Sequence, residues 1–496
     1  MAATLGQSAG STRTASAFDL RTWLEKAKAI GQLRQADNVD LKFELGAITE
    51  LNAKQRGPAI LFDRFSGYPA GFRVLTGSLL NAATLGLTMG IEENLGTMAL
   101  TDKLSDKLRW VEANAGNFPL EYVDEGPLME NQRVDDEVDL TIFPAPLWHE
   151  LDGGAFLGTG CAQIHKDPDT GWVNVGAYRV QRHDKNTLGN FIGPGHHGQI
   201  IRQKYWDRNE SCPVVIVFGS HPLFLVFGGL EVPTGADELN WIGAVAGQRV
   251  PVIRGPVTGF PIPADAEIAI EGFVSKNDRI EEGPFGEFTG YYAAGKKPEA
   301  VIRVKALYYR KDPILLGMPP SRPLHDYSYF ASVLRSAAVK ESLRKAGVPG
   351  VKGVWVSEAG ASRMWVVTSI QQQYAGHAAQ AANLAVQCQA GGLMNRYSIV
   401  VDEDIDPSNP DDVIWALSTR SDPATDIDIV RQCWSNPLDP MIATESKDNK
   451  QLWNSRAIIN ACRPWDRLKS NDFPAVAEAT PGFLKATKQK WAELLK

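Results

Sequence analysis

The chain has 496 residues, of which 44% are hydrophobic and 22% are charged, and its formal net charge at pH 7 is −7. This length exceeds what one hydrophobic core usually organises, so we expect about two or three domains. The composition is that of an ordinary globular protein, and the acidic balance argues against a nucleic-acid partner.

The cysteine pattern and the hydropathy bear on where the protein works. The five cysteines are widely spaced and form no Cys-x-x-Cys pair, which fits a reduced protein better than a disulfide framework or a zinc site. No apolar run approaches the roughly 18 residues that cross a bilayer. Residues 1–16 are small and polar, so we predict a disordered tail there instead of a signal peptide. The expected location is the cytoplasm, away from membranes.

The first predicted domain covers residues 17–116. Leu20, Trp23, Leu24 and Ala27 fall on one helical face, with Asp19 near the start and Gly31 as the stop. Short strand-like runs follow at 59–62 and 72–76. This order predicts an N-terminal α/β domain.

The second predicted domain covers residues 117–315, where glycine and proline become frequent. Short apolar runs between turn signals predict strands at 214–218, 223–227, 267–274 and 301–309. In the last of these, apolar side chains alternate with Arg303 and Lys305, which is the period of a half-buried strand. Several short strands of this kind indicate a barrel or a sandwich.

The third predicted domain covers residues 316–470 and returns to an α/β pattern. Strands are predicted at 363–370 and 397–401, and helices at 375–387 and from Pro410 to Leu417. The acidic run Asp402–Asp406 ends the second strand and is predicted to be a solvated loop. A helical tail, 471–496, carries Leu484, Trp491 and Leu495 as an apolar face that would cover the chain's own core or a partner subunit.

The segment Glu282–Tyr291 (Glu-Gly-Pro-Phe-Gly-Glu-Phe-Thr-Gly-Tyr) is the strongest functional signal. Pro284 excludes a helix, and the glycines at 283, 286 and 290 allow a sharp turn close to a ligand. Two carboxylates on such a loop suit acid/base chemistry, because a shared site of low polarity separates their pKa values. The alternative is a charged surface turn.

A second glycine-rich segment, Gly193–Gly198, satisfies the G-x-G-x-x-G pattern. We reject a dinucleotide site there because residues 183–190 are too polar for the buried strand that such a site requires. His196 and His197 lie within this segment. They are either surface residues or imidazoles that the flanking glycines leave free to reach a metal or a phosphate.

Three residue types along the central domain match the ligands of a hard divalent ion. Asn174, a histidine of the pair and Glu238 supply an amide oxygen, an imidazole and a carboxylate, which suit Mn²⁺ or Mg²⁺ holding a phosphate and do not suit structural zinc. A strand over 173–180 would place Asn174 and Arg179 on opposite faces, where they would serve different ends of one elongated ligand. The spacing alone does not prove that these residues converge.

Taken together, these motifs resemble the UbiD family of reversible decarboxylases, which includes the ferulic acid and 3-octaprenyl-4-hydroxybenzoate decarboxylases. The resemblance runs from about residue 20 to about residue 465. It rests on the order of Asn174, Arg179, His-Asp-Lys-Asn (183–186), Pro-Gly-His-His-Gly (194–198), Glu238, Glu-Gly-Pro-Phe-Gly-Glu (282–287), Asp-Glu-Asp-Ile-Asp (402–406) and Trp-Ala-Leu-Ser-Thr-Arg (415–420). It implies an N-terminal α/β domain, a central split β-barrel like that of flavin reductases, and a C-terminal α/β domain with a terminal helix.

The resemblance also implies the chemistry and assigns residues to it. The cofactor is prenylated FMN, supplied by a flavin prenyltransferase and held through its phosphate by Mn²⁺ or Mg²⁺, with K⁺ nearby. The implied metal ligands are Asn174, His197 and Glu238, and His197 is preferred to His196 because the family usually shows Pro-Gly-x-His-Gly. Arg179, Glu282 and Glu287 match the family's Glu–Arg–Glu set, with Glu287 as the proton donor. Further cofactor contacts are assigned to Thr159, to Arg179 and to the His196/His197 pair, and a homodimer or larger homo-oligomer is expected.

Two departures from the ferulic acid branch limit what carries over. A lysine near the flavin of that branch aligns with Gln389, and Gly228–Glu231 replaces its Ser-Ser-Met-Pro. The expected substrate is therefore an aromatic or heteroaromatic carboxylic acid, with an α,β-unsaturated, cinnamate-like acid as the alternative. The predicted walls of its pocket are Phe288, Tyr327, Phe330 and Ala331. Two other classes are an FMN oxidoreductase and a non-catalytic partner subunit.

Overall fold

The computed structural model describes residues 16–91, 94–230, 232–293 and 295–495. The predicted tail, 1–16, lies outside the described residues except for Ser16. Within these ranges no helix is long and apolar enough to cross a membrane.

The N-terminal part contains the predicted helix and strands. Asp19 caps the first helix, since its carboxylate accepts a hydrogen bond from Arg21 N at 2.8 Å, and Leu20, Trp23, Leu24 and Ala27 form its buried face. Gly31 follows the helix with a φ of +72°. The elements are α1 (Leu20–Ala29), β1 (Leu33–Asp37), α2 (Glu44–Lys54), β2 (Ala59–Asp63), β3 (Arg73–Thr76), α3 (Ala82–Thr88) and α4 (Thr97–Asn114).

The central part is built on a curled sheet. The elements are β4 (Glu121–Tyr122), β5 (Asn131–Val134), β6 (Phe156–Gly158), β7 (Ala162–Lys166), β8 (Val173–Gly176), β9 (Val180–Arg182), β10 (Thr187–Asn190), α5 (His197–Asp207), β11 (Cys212–Gly219), α6 (Pro222–Gly229), α7 (Glu238–Ala246), β12 (Pro251–Arg254), β13 (Pro261–Pro263), β14 (Ile268–Glu282), β15 (Lys297–Tyr309) and β16 (Ile314–Leu316). The described sheet runs β6-β9-β10-β15-β14-β11-β7-β8, with β5 added alongside β15. The last strand, β16, leaves this sheet and completes the N-terminal one in the order β1-β2-β3-β16.

The strand predicted at 223–227 is wrong, because the segment forms α6. Pro222 stands in the first turn, and His221 Nδ1 accepts a hydrogen bond from Leu223 N at 3.2 Å, which caps the helix start. All six residues from Pro222 to Phe227 are buried. A short run that is apolar on every side carries no period, so burial rather than alternation decided its conformation.

The single strand predicted over 173–180 is also wrong. The ladder of β8 stops at Gly176, and β9 begins at Val180. The link between them turns, with Ala177 N donating to Gly228 O at 2.8 Å. Arg179 lies in this link, so the rule that assigns alternate residues to opposite faces does not apply to it.

The polarity of residues 183–190 is the wrong ground for rejecting a dinucleotide site. Residues 187–190 are buried and form β10, although the sequence looked too polar for a buried strand. Nevertheless, β10 pairs antiparallel with both β9 and β15. A dinucleotide-binding site requires the parallel strand of a βαβ unit, so the rejection rests on topology.

The C-terminal part forms a five-stranded sheet in the order β17-β18-β19-β21-β20. The predicted strands and helices are present with bounds shifted by a few residues. The elements are α8 (Asp326–Lys345), β17 (Val351–Val356), β18 (Trp365–Ile370), α9 (His377–Gln387), α10 (Gln389–Gly392), β19 (Tyr397–Asp402), α11 (Pro410–Arg420), β20 (Ile427–Trp434), α12 (Thr444–Asp448), β21 (Trp453–Ala461), α13 (Trp465–Lys469) and α14 (Pro481–Lys490).

The acidic run after β19 is not a plain solvated loop. Asp402 is 1% exposed and accepts hydrogen bonds from Arg420 Nη1 and Arg463 Nε, both at 3.0 Å. Asp404 binds the same Arg420 through both of its carboxylate oxygens. The run therefore ties α11 and the segment after β21 to the end of β19.

The C-terminal helix leaves its apolar side chains uncovered within the chain. The exposed fractions are 51% for Leu484, 49% for Trp491 and 60% for Leu495, and the last two residues lie beyond the end of α14. Of the two covering roles predicted for this tail, packing on the chain's own core is therefore wrong.

Candidate active site

One cavity of about 370 Å³ joins the central and C-terminal parts of the chain. The central part contributes residues from β8, the β8–β9 link, the start of α5 and the loop after β14. The C-terminal part contributes Arg363, Gln389 and the segment from Trp434 to Leu438. The predicted residues on its wall are Thr159, Asn174, Arg179, His196, His197, Glu238 and Glu287.

Asn174 and Glu238 lie side by side in this cavity. Asn174 is the second residue of β8, and Glu238 opens α7 directly after its cap, Asp237. Asn174 Nδ2 donates to Glu238 Oε1 at 2.7 Å, and Val175 N donates to Glu238 Oε2 at 3.0 Å. Glu238 is 1% exposed, and burial raises its pKa to about 8.

His197 lies on the same wall, at the first residue of α5. Its Nε2 is 3.1 Å from Thr234 Oγ1, and its ring packs edge-on against Trp172. His196 immediately precedes the helix, and its ring meets Tyr178 edge-on. The starts of α5 and α7 therefore both border the cavity, and helix N-termini favour anions such as phosphate.

This end of the cavity fits a divalent ion with a phosphate. Asn174 Oδ1 is buried and makes no hydrogen bond to any residue that the structure describes. A cation would satisfy that oxygen and favour the ionised form of Glu238. No group of three His, Cys, Asp or Glu side chains suited to a metal occurs in the described ranges. His197 and Glu238 supply two ligands of these types, and the third ligand of the proposed set is the amide oxygen of Asn174.

Arg179 is the centre of a second group of side chains. Its Nε and Nη2 donate to Glu282 Oε1 and Oε2 at 2.8 and 2.9 Å, and its Nη1 donates to Glu287 Oε1. The guanidinium lies over the rings of Phe191 and Phe285. Burial works to lower the pKa of Arg179, but Glu287 and Glu282 outweigh it and raise the pKa.

The two carboxylates occupy different positions. Glu287 lines the cavity, whereas Glu282 is 1% exposed and is absent from the cavity wall. Glu282 therefore contacts Arg179 from behind. Burial raises the pKa of Glu287, and Glu282 adds to this effect, while Arg179 opposes it.

The loop that carries Glu287 turns as its glycines predict. Gly283 and Gly290 have φ values of +80° and +83°. Gly290 N donates to Glu287 O at 2.8 Å, and Glu287 N donates to Tyr291 O at 3.0 Å. A close backbone approach holds the start of the loop, since a Cβ on Gly153 would lie 1.8 Å from Gly283 O.

Thr159 and most of the predicted aromatic walls also border the cavity. The hydroxyl of Thr159 accepts a hydrogen bond from Met318 N at 2.9 Å. Phe288, Tyr327 and Phe330 line the cavity, but Ala331 does not. Gly228, Gly229 and Leu230 line it as well, while Glu231 lies outside the described residues.

Sequence reasoning missed several residues at this site. Tyr178 lines the cavity, and its hydroxyl accepts a hydrogen bond from Gly198 N at 3.3 Å. The hydroxyl of Tyr292 donates to Asp152 Oδ1 at 3.0 Å, and this hydrogen bond fixes the chain just after the Glu287 loop. Arg363 and the segment 434–438 come from a distant part of the chain, and no local motif marks them.

Family models match the chain in three consecutive segments. They are the N-terminal, Rift-related and C-terminal domains of 3-octaprenyl-4-hydroxybenzoate carboxy-lyase, called UbiD, at residues 24–107, 121–323 and 328–461. A pyrrole-2-carboxylic acid decarboxylase from Pseudomonas aeruginosa is 32% identical over 471 residues, covering 90% of this chain and 92% of that protein.

Solved structures give the same result. The UbiD-class enzyme HmfF from Pelotomaculum thermopropionicum, in complex with FMN, has a TM-score of 0.82 and 27% identity, covering 94% of this chain and 98% of that one. An evolved dimeric form of the same enzyme, in complex with prFMN, has a TM-score of 0.79 and 26% identity over the same shares of both chains. The fold class predicted from the sequence is confirmed.

Proposed function

The chain belongs to the UbiD family of carboxy-lyases, and from that premise we propose that it decarboxylates an aromatic or heteroaromatic carboxylic acid, reversibly and without net oxidation, using prenylated FMN. The observation that carries the proposal is the single cavity bordered both by Asn174, His197 and Glu238 and by Arg179 and Glu287. One set suits the phosphate of a flavin, and the other suits the acid/base chemistry of the substrate.

We assign the phosphate end of the cofactor to the first set. Asn174, His197 and Glu238 would hold Mn²⁺ or Mg²⁺, whose positive charge would favour binding of the phosphate, with K⁺ close by. The orphaned amide oxygen of Asn174 and the two helix starts support this assignment. Thr159 and His196, on the same cavity wall, are assigned as further cofactor contacts.

The reacting end is assigned to Arg179, Glu282 and Glu287. Loss of CO₂ from an sp² carbon leaves an electron pair, and the bound prenylated FMN supplies the electron sink for it. The guanidinium of Arg179 orients the substrate carboxylate, and Glu282 holds that guanidinium in place through a two-point contact. Burial raises the pKa of Glu287, which favours its protonated form, and we assign Glu287 as the donor of the proton to the carbon that CO₂ leaves.

The cavity wall favours a flat conjugated substrate. Phe191, Phe285, Phe288, Tyr327 and Phe330 line it. These aromatic side chains exclude water from the cavity and can stack on the ring of the substrate. The relative that acts on pyrrole-2-carboxylic acid supports a heteroaromatic acid, and a cinnamate-like acid is the alternative.

The proposal extends to the setting of the enzyme. All five cysteines carry free thiols, as a reduced compartment such as the cytoplasm allows. A flavin prenyltransferase would supply the cofactor. A homodimer or larger homo-oligomer is proposed because the C-terminal tail exposes apolar side chains.

The test compares protein expressed with and without a flavin prenyltransferase. Mass spectrometry and the visible spectrum identify the bound flavin, and CO₂ release is measured on pyrrole-2-carboxylate, hydroxybenzoates and cinnamate. We expect CO₂ release only from the co-expressed protein. Oxidation of reduced nicotinamide by the FMN form, without CO₂ release from any acid by the prenylated form, would favour an FMN oxidoreductase instead.

A further inference from the structure

A lysine of the C-terminal part contacts the chain just after the loop of Glu287. Lys447, on α12, donates a hydrogen bond from Nζ to Ala293 O at 3.1 Å. Ala293 lies two residues after Tyr291, whose carbonyl accepts the hydrogen bond of Glu287 N. A side chain of the C-terminal part therefore holds the end of the loop that carries Glu287.

The charge of Lys447 also acts on Glu287. Burial raises the pKa of the Glu287 carboxyl and Glu282 adds to this, whereas Arg179 and Lys447 oppose it. These are the charged groups that face Glu287 from the β8–β9 link, from β14 and from α12. An ammonium in this position stabilises the carboxylate that remains after Glu287 gives up its proton.

The surroundings of Lys447 act on its own pKa in both directions. Burial lowers the pKa of Lys447, Lys297 acts in the same direction, and Asp439 and Glu287 oppose them. Asp439 is itself occupied, since both of its oxygens accept hydrogen bonds from Arg396 Nη2 at 2.8 Å. Lys447 is partly exposed, so solvent screens part of its interaction with Glu287, and its effect on the pKa of Glu287 is smaller than that of Arg179.

Lys447 belongs to the same segment as the C-terminal wall of the cavity. Trp434 and residues 436–438 line the cavity, and Asp439 anchors them through Arg396 and through Ser435, whose hydroxyl donates to Asp439 Oδ2 at 2.9 Å. Eight residues further along, Lys447 contacts Ala293. Residues 434–447 therefore contain both the C-terminal wall of the cavity and the ammonium of Lys447.

We propose that Lys447 is a positioning residue that holds the Glu287 loop against the C-terminal wall and, through its charge, eases the release of the proton from Glu287. This inference rests on the proposed function, because it takes Glu287 as the proton donor. It adds to that function a residue outside the Arg179 group, and it makes proton donation depend on the C-terminal wall being in place.

Three substitutions separate the charge from the tether. Lys447→Gln keeps a donor for Ala293 O but removes the charge, Lys447→Met removes both, and Lys447→Arg keeps both. Lys450→Gln is the matched control, since Lys450 is exposed and lies in the same segment. Circular dichroism establishes that each variant is folded.

Two measurements follow the charge. Isotope-edited infrared spectroscopy of the cofactor-free chain, with Glu287→Gln for assignment, gives the pH at which Glu287 loses its proton. The pH dependence of kcat is measured on the reconstituted enzyme. We expect Lys447→Gln and Lys447→Met to move both midpoints to higher pH. Because a weaker acid gives up its proton more slowly, the plateau value of kcat should fall by at most about tenfold for each pKa unit that the midpoint rises. Lys447→Arg and Lys450→Gln should behave like the wild type.

The inference is overturned if the Glu287 midpoint is the same in wild type, Lys447→Gln and Lys447→Met, because Lys447 would then be a tether only. The infrared result does not require activity. If the wild-type enzyme released no CO₂, the proposed function would fail while the effect of Lys447 on Glu287 remained measurable.

Discussion

At the scale of single residues, Glu282 and Glu287 are two identical side chains whose different positions support the different roles that we propose for them. Both contact Arg179, but Glu282 takes two of its donors from behind, and Glu287 takes the third on the cavity side. The two-point contact suits Glu282 to holding the guanidinium in place and not to serving as a proton donor. A carboxyl raised in pKa by burial and facing the cavity is a suitable one.

The role of Glu287 leads to a direct prediction. Glu287→Gln preserves the shape of the side chain but removes the transferable proton, so turnover should fall by about two to four orders of magnitude while metal and flavin stay bound. The checks are steady-state decarboxylation, flavin content, and incorporation of solvent deuterium into the product. Wild-type turnover and deuterium incorporation in this variant would show that the proton comes from elsewhere, and Glu282 would be tested next.

The histidine pair gives a second prediction at this scale. His197→Ala removes one of three proposed ligands, so manganese and flavin should be lost together. His196→Ala serves as the matched control and should retain manganese, because His196 precedes the helix and packs on Tyr178. Elemental analysis measures the manganese content of each variant, and absorbance measures its flavin content. Full manganese occupancy in His197→Ala would reject the proposed ligand set.

At the scale of elements, the buried aspartate at the end of β19 fastens the C-terminal sheet. Asp402 accepts hydrogen bonds from Arg420 on α11 and from Arg463 after β21, and the Arg420 side chain is only 1% exposed. Gln372 Nε2 donates to the same carboxylate at 2.8 Å. The carboxylate of Asp402 therefore holds three segments together: the one after β18, helix α11 and the one after β21.

Removing that charge should be costly. Asp402→Ala leaves two arginines with a missing partner, and the free energy of unfolding should fall by about 3–5 kcal/mol. Glu403→Ala is the control in the same turn, since its side chain is 41% exposed and its 3.9 Å contact with Lys352 is worth at most about 1 kcal/mol. Urea unfolding of both variants measures the difference. Equal stability of the two variants would contradict the fastening role of Asp402.

The elements also show what the sequence determined and what it left open. Amphipathic segments such as α1, and β-branched runs such as β18 and β19, were predictable because one face or one period marks them. The apolar run of α6 has no such mark, and it was assigned to the wrong class. The predicted site residues met on one cavity wall apart from Glu282, whose position behind Arg179 depends on tertiary packing. Lys447 and Arg363 belong to no local motif.

At the scale of the whole molecule, the C-terminal tail is the part least accounted for by the chain's own contacts. Phe483 and Leu484 on α14, and Trp491, Leu494 and Leu495 after it, are each about half exposed or more. Apolar side chains at this density on one short segment mark an interaction surface. Of the two covering roles predicted for the tail, contact with a partner subunit stays a prediction.

A truncation tests this role. Removing residues 473–496 should leave the four described sheets folded, because α14 contributes no buried residue that the structure describes, but it should reduce the size of the assembly. Sedimentation velocity over a range of concentrations gives the size, and circular dichroism gives the fold. A truncated chain of unchanged assembly size would assign the subunit contact to another surface.

The pairing of β16 with β3 has a consequence for how the protein is made. Ile314 pairs with Arg73 and Leu316 with Leu75, so the first sheet lacks its edge strand until the ribosome has synthesised most of the central barrel. The cavity closes later still, when residues 363 and 434–438 emerge. N-terminal fragments should therefore be short-lived in the cell. The cavity that would hold the flavin is complete only after Leu438 has been synthesised, so we expect the cofactor to be loaded after that point.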